Sequence, residues 1–196
     1  MTTGKRAVSF PALHTPRLRL RELTLRDAPA LFAIHGDPQV AQWFGSDPLP
    51  DAAAAEKLIA TFASWRVLPN PGTRWGIERT HDGALIGTCG LFGWNRRWSS
   101  CTLGYELARA AWGQGYMSEA LACVLPWGFE AMALNRVEAK IHADNTASVR
   151  LARRFGFMRE GVLREVAHWG GAYHDLVQFS LLRRDFERLQ RKNRNA

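Results

Sequence analysis

The chain has 196 residues, of which 46% are hydrophobic and 22% are charged, a balance that indicates one globular domain and excludes a disordered chain. No apolar run has the length of a membrane-spanning helix, and the first ten residues lack the apolar core of a secretion signal, so we expect a cytoplasmic protein with no membrane partner. The net charge of +8, carried mainly by arginine, is compatible with a polyanionic cofactor, a ribosomal surface or nucleic acid.

The first half of the chain is predicted to hold one strand, two helices and three further strands. In TPRLRLREL, leucines alternate with arginines, which is typical of a half-exposed strand. TLRDAPALFAIHGD and SDPLPDAAAAEKLIATFASW are predicted helices, with Thr24 as a candidate cap of the first. The runs RWGIERT, ALIGTCGLFGW and SSCTLGYELA predict strands, and HDG is a turn between the first two.

The second half alternates helices with strands. A helix is predicted over residues 118–133, kinked at Pro126, and a shorter one in TASVRLARRF. The strand RVEAKIH lies between them, and EGVLREVAHW and DLVQFSLLR close the series. This order predicts an α/β (α+β) fold in a single domain, with a parallel strand pair where a helix crosses over. We expect residues 1–12 and the basic tail 185–196 to be flexible.

The three cysteines, Cys89, Cys101 and Cys123, are an odd number and have no CxxC spacing. Such a set is typical of reduced, buried thiols rather than of a disulfide framework. No group of His, Cys and Asp residues has the spacing of a metal site, so we expect no metal.

Two glycines, Gly113 and Gly115, stand directly before a predicted helix in AAWGQGYMSEAL. The first N–H groups of a helix have no intrahelical acceptors, and glycine lets the backbone approach a ligand closely, so this turn suits a phosphate. Neither GKS nor GKT follows, which excludes a Walker loop, and the third glycine of a dinucleotide fingerprint is missing. By itself the pattern is compatible with a phosphate site or with a plain helix start.

Three longer segments carry a resemblance: LGYELARAAWGQGYMSEAL, LNRVEAKIHADNTASVRLARRFGFMREGVLRE and GAYHDLVQFSLL. Together they closely resemble the GNAT superfamily of N-acetyltransferases, in its RimJ/RimL-like branch of ribosomal-protein N-terminal acetyltransferases. The segment TPRLRLREL matches the same branch, and the resemblance covers residues 13–184. It implies a mixed, mostly antiparallel sheet flanked by helices, with GYEL and RVEAKIH as a splayed parallel strand pair. It also implies acetyl-CoA as co-substrate and direct attack of an amine on the thioester.

The family's acetyl-CoA loop has the form Q/R-x-x-G-x-G/A, and the resemblance implies that it falls on residues 112–117. The implied loop residues are Trp112, Gly113, Gln114, Gly115, Tyr116 and Met117. Trp112 stands where Gln or Arg is usual. Met117 replaces the final small residue, where it would either crowd the loop or pack into the core.

Further cofactor and catalytic residues are implied on either side of that loop. The main chain around Glu106 and Leu107 would hold the pantetheine arm, with the N–H near Leu107 facing the acetyl carbonyl oxygen. Asn145 would contact the cofactor arm, and Ser148 would protonate the departing CoA thiolate. The tyrosine that many relatives carry four residues after this serine is Ala152 here. As residue types alone, Asn145 and Ser148 favour a helix cap.

The general base is left open. Glu106 is the first candidate because the resemblance places it near the thioester, and a structural ion pair with an arginine is the alternative. Its rivals are His142, His174 and Asp175. In some relatives a carboxylate assigned as the base aligns with Ala167 here. An N-terminal amine, with a pKa of about 7.7–8.0, needs only a modest base, whereas a lysine at about 10.4 needs a stronger one.

The acceptor amine is the least determined feature. We expect a protein N-terminal α-amine, with a ribosomal protein as a possible partner, and Tyr173 and Asp175 of AYHD either shape its pocket or form a turn. A small amine, such as an antibiotic or metabolite, is the alternative, because fold does not determine the acceptor. An open cleft favours a peptide, and an enclosed acidic pocket favours a polyamine or aminoglycoside. Four tryptophans suit a cleft lining or the core: Trp43, Trp94, Trp98 and Trp169.

The high positive charge leaves a more remote alternative, a non-catalytic protein that binds RNA or the ribosome. The sequence is compatible with either a monomer or a homodimer.

Overall fold

The computed structural model describes residues 10–67 and 71–194. In these two ranges the chain forms one eight-stranded sheet and six α-helices. The strands are β1 (Leu13–His14), β2 (Leu18–Arg21), β3 (Thr73–Arg79), β4 (Leu85–Asn95), β5 (Ser100–Leu107), β6 (Arg136–His142), β7 (Met158–Trp169) and β8 (Ala172–Leu182). The helices are α1 (Ala28–His35), α2 (Pro38–Phe44), α3 (Ala52–Ser64), α4 (Tyr116–Ala131), α5 (Thr146–Arg154) and α6 (Arg183–Arg194).

The sheet is mixed and mostly antiparallel. Its strand order is β1-β2-β3-β4-β5-β6-β8-β7, and among the described strands β5 and β6 form the parallel pair. These two strands pair only at residues 100–102, opposite residues 136–138. Both strands continue beyond these residues without pairing to each other, which opens a slot between them. The predicted fold class and the splayed parallel pair are confirmed.

Short polar side chains fix several helix starts. The carboxylates of Asp37 and Asp51 accept hydrogen bonds from N–H groups in the first turns of α2 and α3, at 2.9 and 2.7 Å. Asn145 caps α5 by accepting from the N–H of Ser148 at 3.0 Å. Each cap satisfies an N–H group that has no intrahelical acceptor. The start of α5, which borders the slot, is therefore fixed by its own sequence.

The main core lies between the sheet and α4. Leu121, Val124, Leu125 and Phe129 form the apolar face of α4, and each is at most 2% exposed. Burial stabilises the fold by about 1.5–3 kcal/mol for each such side chain. The helix runs without interruption through Pro126 to Ala131. Because α4 is held firmly on the sheet, the glycine turn that precedes it is held there too.

The prediction of a flexible N-terminus is wrong for residues 10–12. Phe10 packs edge-on against Trp75, with ring centroids 6.2 Å apart. The indole N–H of Trp75 donates to the carbonyl of Pro11 at 2.6 Å. An aromatic contact with β3 therefore anchors this segment, while residues 1–9 lie outside the described part of the chain.

The prediction of a flexible C-terminal tail is wrong for residues 185–194, which belong to α6. Phe186 is 8% exposed and stacks on Phe129 at a centroid distance of 4.7 Å. At the start of the helix, Arg183 donates to the carbonyl of Leu134 at 2.9 Å. The many basic residues of this tail obscured one apolar side chain that docks on the core.

None of the helices in the described ranges is long and apolar enough to cross a membrane. The same residues hold no group of three or more His, Cys, Asp or Glu side chains placed to bind a metal. Cys89, Cys101 and Cys123 are free thiols.

Candidate active site

The glycine turn joins β5 to α4 with its two glycines in the left-handed region, at φ +73° for Gly113 and +79° for Gly115. The N–H of Glu119 donates to the carbonyl of Gly115 at 3.0 Å, so the N–H groups of residues 116–118 precede the first helical hydrogen bond. A Cβ added at Gly113 would meet nothing within 4 Å. The turn therefore presents unpaired N–H groups and open space, as an anion site requires.

Side chains hold this turn in place from both sides. The indole N–H of Trp112 donates to the carbonyl of Leu107 at 2.8 Å, which ties the turn to the end of β5. Arg17 donates to the carbonyl of Gln114 at 3.1 Å and pairs with Glu119 at 2.6 Å. Trp112 thus has a positioning role that a Gln or Arg at this place would fill differently.

Met117 is 6% exposed and belongs to the main core. Of the two alternatives that the sequence left open, core packing is the one observed. The Met117 side chain is therefore turned into the core rather than standing out from the turn.

A cavity of about 730 Å³ occupies the slot between β5 and β6 and extends along the glycine turn. The implied cofactor residues that line it are Leu107, Trp112, Gly113, Gly115, Tyr116, Met117 and Asn145. The candidate catalytic residues Glu106 and Ser148 line it as well. The structure thus brings together most of the predicted site, from segments up to 42 positions apart, Glu106 to Ser148.

Gln114 is the member of the predicted loop that does not line this cavity. Its side-chain amide donates to the carbonyl of Ala110 at 2.7 Å. Its role within the described structure is therefore to shape the turn.

Glu106 is the centre of a buried polar cluster. Its carboxylate accepts hydrogen bonds from Arg74 and Thr88, and lies 3.2 Å from Nε2 of His35. The Glu106 side chain is only 4% exposed and that of Arg74 only 2%. The rings of Phe44 and Phe62 cover the Arg74 guanidinium at 5.5 and 5.1 Å.

The environment of Glu106 does not favour its predicted role as general base. Burial opposes ionisation of this carboxyl, but the nearby Arg74 charge and the hydrogen bonds of His35 and Thr88 outweigh it, so the pKa is lowered. A carboxylate that already interacts with three close polar groups has few free lone pairs with which to accept a proton from an amine. The geometry is that of the structural ion pair, which was the alternative interpretation.

Ser148 has a partner that sequence reasoning missed. Its hydroxyl oxygen lies 2.7 Å from the hydroxyl of Tyr105, across the slot from α5 to β5. Tyr105 also lines the cavity. Asn145, besides lining the cavity, caps α5 through the N–H of Ser148, so a cap and a ligand contact are compatible. Nothing local in the sequence pairs Tyr105 with Ser148.

Tyr173 and Asp175 lie on the β7–β8 hairpin, away from the cavity lining found in the described structure. Tyr173 is 69% exposed, and its ring packs against His168 at 4.8 Å. Asp175 accepts a hydrogen bond from the N–H of Glu165 at 2.8 Å. These contacts are those of a hairpin, and the same two strands line the cavity through Ala167 and Leu176 instead.

The remaining candidate bases cluster beside the slot. His174 stacks on Trp169 at 3.7 Å, and His142 lies 5.5 Å from His174 and 5.7 Å from Trp43, measured between ring centroids. Of the four tryptophans singled out, Trp43 lines the cavity. Trp98, in contrast, is 71% exposed.

The glycine turn, the splayed strands and the cavity between them have the form expected of an acetyl-CoA site. A family model described as an acetyltransferase (GNAT) domain matches residues 17–158. The chain belongs to the GNAT acetyltransferase family. It is an N-acetyltransferase, and acetyl-CoA is the acetyl donor that this family uses. The family, the enzyme class and the co-substrate predicted from the sequence are confirmed.

Individual relatives agree with this assignment. The uncharacterized N-acetyltransferase YoaA of Bacillus subtilis is 36% identical over 174 residues, which cover 89% of this chain and 98% of YoaA. YdaF of the same organism, a proposed ribosomal N-acetyltransferase, is 33% identical over 87% of this chain and 93% of its own. A crystal structure of a probable acetyltransferase superposes with a TM-score of 0.79 at 26% identity, covering 89% of this chain and 98% of that one. These similarities support the RimJ/RimL-like branch.

Proposed function

We propose that this GNAT enzyme acetylates the α-amine of a protein N-terminus, of the ribosomal-protein type. The charge of the cleft carries this proposal. Glu106 is the acidic side chain among the described lining residues, and Arg74 neutralises it, whereas Lys140, Arg150 and Arg154 also line the cavity. A polyamine or an aminoglycoside carries several positive charges and binds where carboxylates are available. The basic side chains of this cleft would instead repel such an amine.

The walls of the cleft suit a peptide. Aromatic rings form one part of the lining, from Trp43, Phe44, Trp65 and Phe92. Such rings provide apolar contact area for the first side chains of a polypeptide. The similarity to YdaF supports a ribosomal-protein acceptor, and we place the reaction in the cytoplasm, where ribosomal proteins and acetyl-CoA meet.

The proton chemistry also favours an α-amine over a lysine. At neutral pH a substantial fraction of α-amines, with a pKa of about 7.7–8.0, is already unprotonated, whereas a lysine at about 10.4 is almost fully charged. Because Glu106 is already held by Arg74, Thr88 and His35, an acceptor that needs little help from a base fits this site. The proton released from the nitrogen passes to solvent through the open cleft.

The acetyl donor is held mainly by main-chain groups. We assign the pyrophosphate to the free N–H groups of residues 116–118, where the helix dipole adds to their attraction. Asn145 contacts the pantetheine arm, and the N–H of Leu107 donates to the acetyl carbonyl oxygen as charge develops there. Ser148 donates to the departing sulfur. These roles agree with the lining of the cavity.

Peptide acetylation followed by position mapping tests the proposal. Peptides with a free N-terminal amine and one internal lysine are incubated with the enzyme and acetyl-CoA, and CoA release is measured with a thiol reagent. The same peptides with a blocked N-terminus are the matched controls, and spermidine is the small-amine comparison. We expect acetylation at the N-terminal nitrogen by mass spectrometry, at least about 100-fold faster than in the blocked peptides.

Faster turnover of spermidine than of any peptide, or acetylation of the internal lysine in preference to the terminus, would contradict the proposed acceptor. Neither result would alter the family assignment, which rests on the sequence match to the GNAT domain.

A further inference from the structure

Two hydroxyl groups meet across the slot, and only one of them has been given a role so far. Tyr105 comes from β5 and Ser148 from α5, and their oxygens are 2.7 Å apart. Both residues line the cavity. The two elements that frame the thioester site are thus joined by a single hydrogen bond between side chains that are able to donate and accept.

Either hydroxyl can be the donor in this hydrogen bond, and we assign the direction from the chemistry of the two groups. A phenol is more acidic than an aliphatic alcohol and is therefore the better donor, while the alcohol oxygen is the better acceptor. Burial raises the pKa of Tyr105 to about 12, although its hydrogen bond to Ser148 opposes this. Tyr105 consequently keeps its proton at every pH at which the enzyme works, and remains available as a donor.

The position of Ser148 is fixed by the backbone of α5. Its N–H donates to Asn145, which caps the helix at 3.0 Å. A hydroxyl has one hydrogen and two acceptor lone pairs. When the oxygen of Ser148 accepts from Tyr105, its own hydrogen is free to point away from Tyr105, and Ser148 lines the cavity.

We propose that Tyr105 is a positioning residue, which turns the hydroxyl hydrogen of Ser148 towards the departing sulfur of CoA. The proposal rests on the acetyl transfer assigned above, but not on the identity of the amine. The nitrogen lone pair attacks the acetyl carbonyl carbon, an N–C bond forms, and the C–S bond breaks with its electron pair on sulfur. The hydrogen bond from Ser148 stabilises the thiolate, the amine proton goes to solvent, and the thiolate takes a proton from solvent on release.

Titration of bound CoA tests this proposal without any acceptor. A hydrogen bond donated to the thiolate lowers the pKa of the bound thiol, by about one unit below that of free CoA titrated under the same conditions. Thiolate absorbance is followed against pH, with the complex of desulfo-CoA as the blank. Protein thiols do not interfere below about pH 10, because burial raises the pKa of Cys89 to about 12, that of Cys123 to about 11, and that of Cys101 as well.

The variants distinguish the positioning residue from the donor. We expect the pKa of the bound CoA thiol to return to its free value in Ser148→Ala and to return most of the way in Tyr105→Phe. The double variant should behave like Ser148→Ala. Ser148→Thr, which keeps the hydroxyl, should retain the effect. Tyr173→Phe, at an exposed tyrosine 69% accessible to solvent, is the matched control and should behave like the wild type.

Steady-state kinetics supply a second readout. Tyr105→Phe should lower kcat about tenfold and leave the KM for acetyl-CoA unchanged, since the pyrophosphate contacts are intact. A structural defect would instead change KM or the thermal midpoint.

Three outcomes overturn the proposal. The first is an unperturbed pKa of the bound thiol in the wild type, and the second is a thiol pKa lowered as much in Tyr105→Phe as in the wild type. The third is a larger loss in Tyr105→Phe than in Ser148→Ala, which would make Tyr105 itself the donor. A lowered thiol pKa in an enzyme that acetylates no peptide would refute the proposed acceptor and leave this inference standing.

Discussion

Polar side chains on the two faces of β5 have opposite surroundings. Glu106 points towards α1 and β3, where its carboxylate is met by His35, Arg74 and Thr88 in a buried cluster, although Glu106 and Arg74 also line the cavity. Its neighbour Tyr105 points to the opposite face, as alternation along a strand requires, and meets Ser148 beside an open cavity. On the first face, protein side chains occupy the hydrogen-bonding groups of Glu106. On the second face, the hydroxyl groups of Tyr105 and Ser148 can still form a hydrogen bond to a ligand.

This difference separates stability from function within one strand. A buried charge is tolerated only when its partners are present, so the Glu106 face contributes to a single, rigid arrangement. That rigidity holds β5 in place, and its other face and splayed edge are where we propose that the acetyl donor binds. Substitutions on the two faces are therefore expected to affect different measurements.

The largest effect is expected from Glu106→Gln. This change keeps the shape of the side chain but leaves the buried Arg74 without its counter-charge, and breaking a buried pair costs about 3–5 kcal/mol. The free energy of unfolding in urea at neutral pH measures it. The matched control is Glu160→Gln, which removes a carboxylate paired with Arg136 but 39% exposed and should cost at most about 1 kcal/mol. Equal losses of unfolding free energy in the two variants would mean that the buried cluster contributes no more to stability than the more exposed ion pair.

The same cluster predicts a pH dependence of stability. Burial raises and Arg74 lowers the pKa of Glu106, with a net lowering below its ordinary value of 4.5. Folding therefore disfavours protonation, so the stabilisation is fully present above pH 4.5 and is lost as the pH falls through the folded pKa. We expect the difference in unfolding free energy between wild type and Glu106→Gln to shrink below pH 4.5. A difference that stays constant throughout acid titration would contradict this assignment.

Gly115→Glu, in the turn that joins β5 to α4, should have the next largest effect. We expect it to weaken acetyl-CoA binding rather than to lower stability. Its carboxylate would stand at the free N–H groups of the turn and repel the pyrophosphate. We expect Kd by calorimetry to rise on the order of 100-fold, or about 2.7 kcal/mol. Gly115→Ala is the matched control, because it shares the strain of a side chain at φ +79°, about 1–2 kcal/mol, without the charge. Similar Kd values for Gly115→Ala and Gly115→Glu would mean that the phosphate does not bind at this turn.

The smallest effect is expected from Trp112→Phe. It deletes the hydrogen bond between the indole and the carbonyl of Leu107, which is worth about 1 kcal/mol. We expect the Kd for acetyl-CoA to rise about fivefold, since the turn is less firmly tied to β5. Trp98→Phe alters an exposed tryptophan on the β4–β5 turn and should leave Kd unchanged. An unchanged Kd in Trp112→Phe as well would show that the turn holds its shape without this bond.

The local parts of the site were predictable because their signals are local. Gly113 and Gly115 precede a helix within one short segment, and a left-handed backbone at both positions is what glycine permits. The cap formed by Asn145 is likewise a contact over three residues. In each case the residue type and its nearest neighbours contain the physical reason for the structure.

Other predictions failed or went unmade because their causes are distant in the chain. Glu106 was the first candidate for the base, yet His35 and Arg74 lie 71 and 32 positions away from it. Tyr105 was overlooked because Ser148 is 43 positions away. Phe186 docks on Phe129 and turns a basic tail into α6. No periodicity in a single segment reports such contacts.

By itself, the sequence determined the order of strands β2 to β8 and of helices α1, α3, α4 and α5, the glycine turn and the resemblance to GNAT acetyltransferases, since these depend on spacing along the chain. Only the tertiary structure decided which polar side chains have their hydrogen-bonding groups occupied by protein partners and which can still form hydrogen bonds to a ligand in the cavity. Tyr105 and Glu106 are adjacent in the chain and take opposite roles, because alternation along β5 sends one side chain to the slot and the other to a buried arginine.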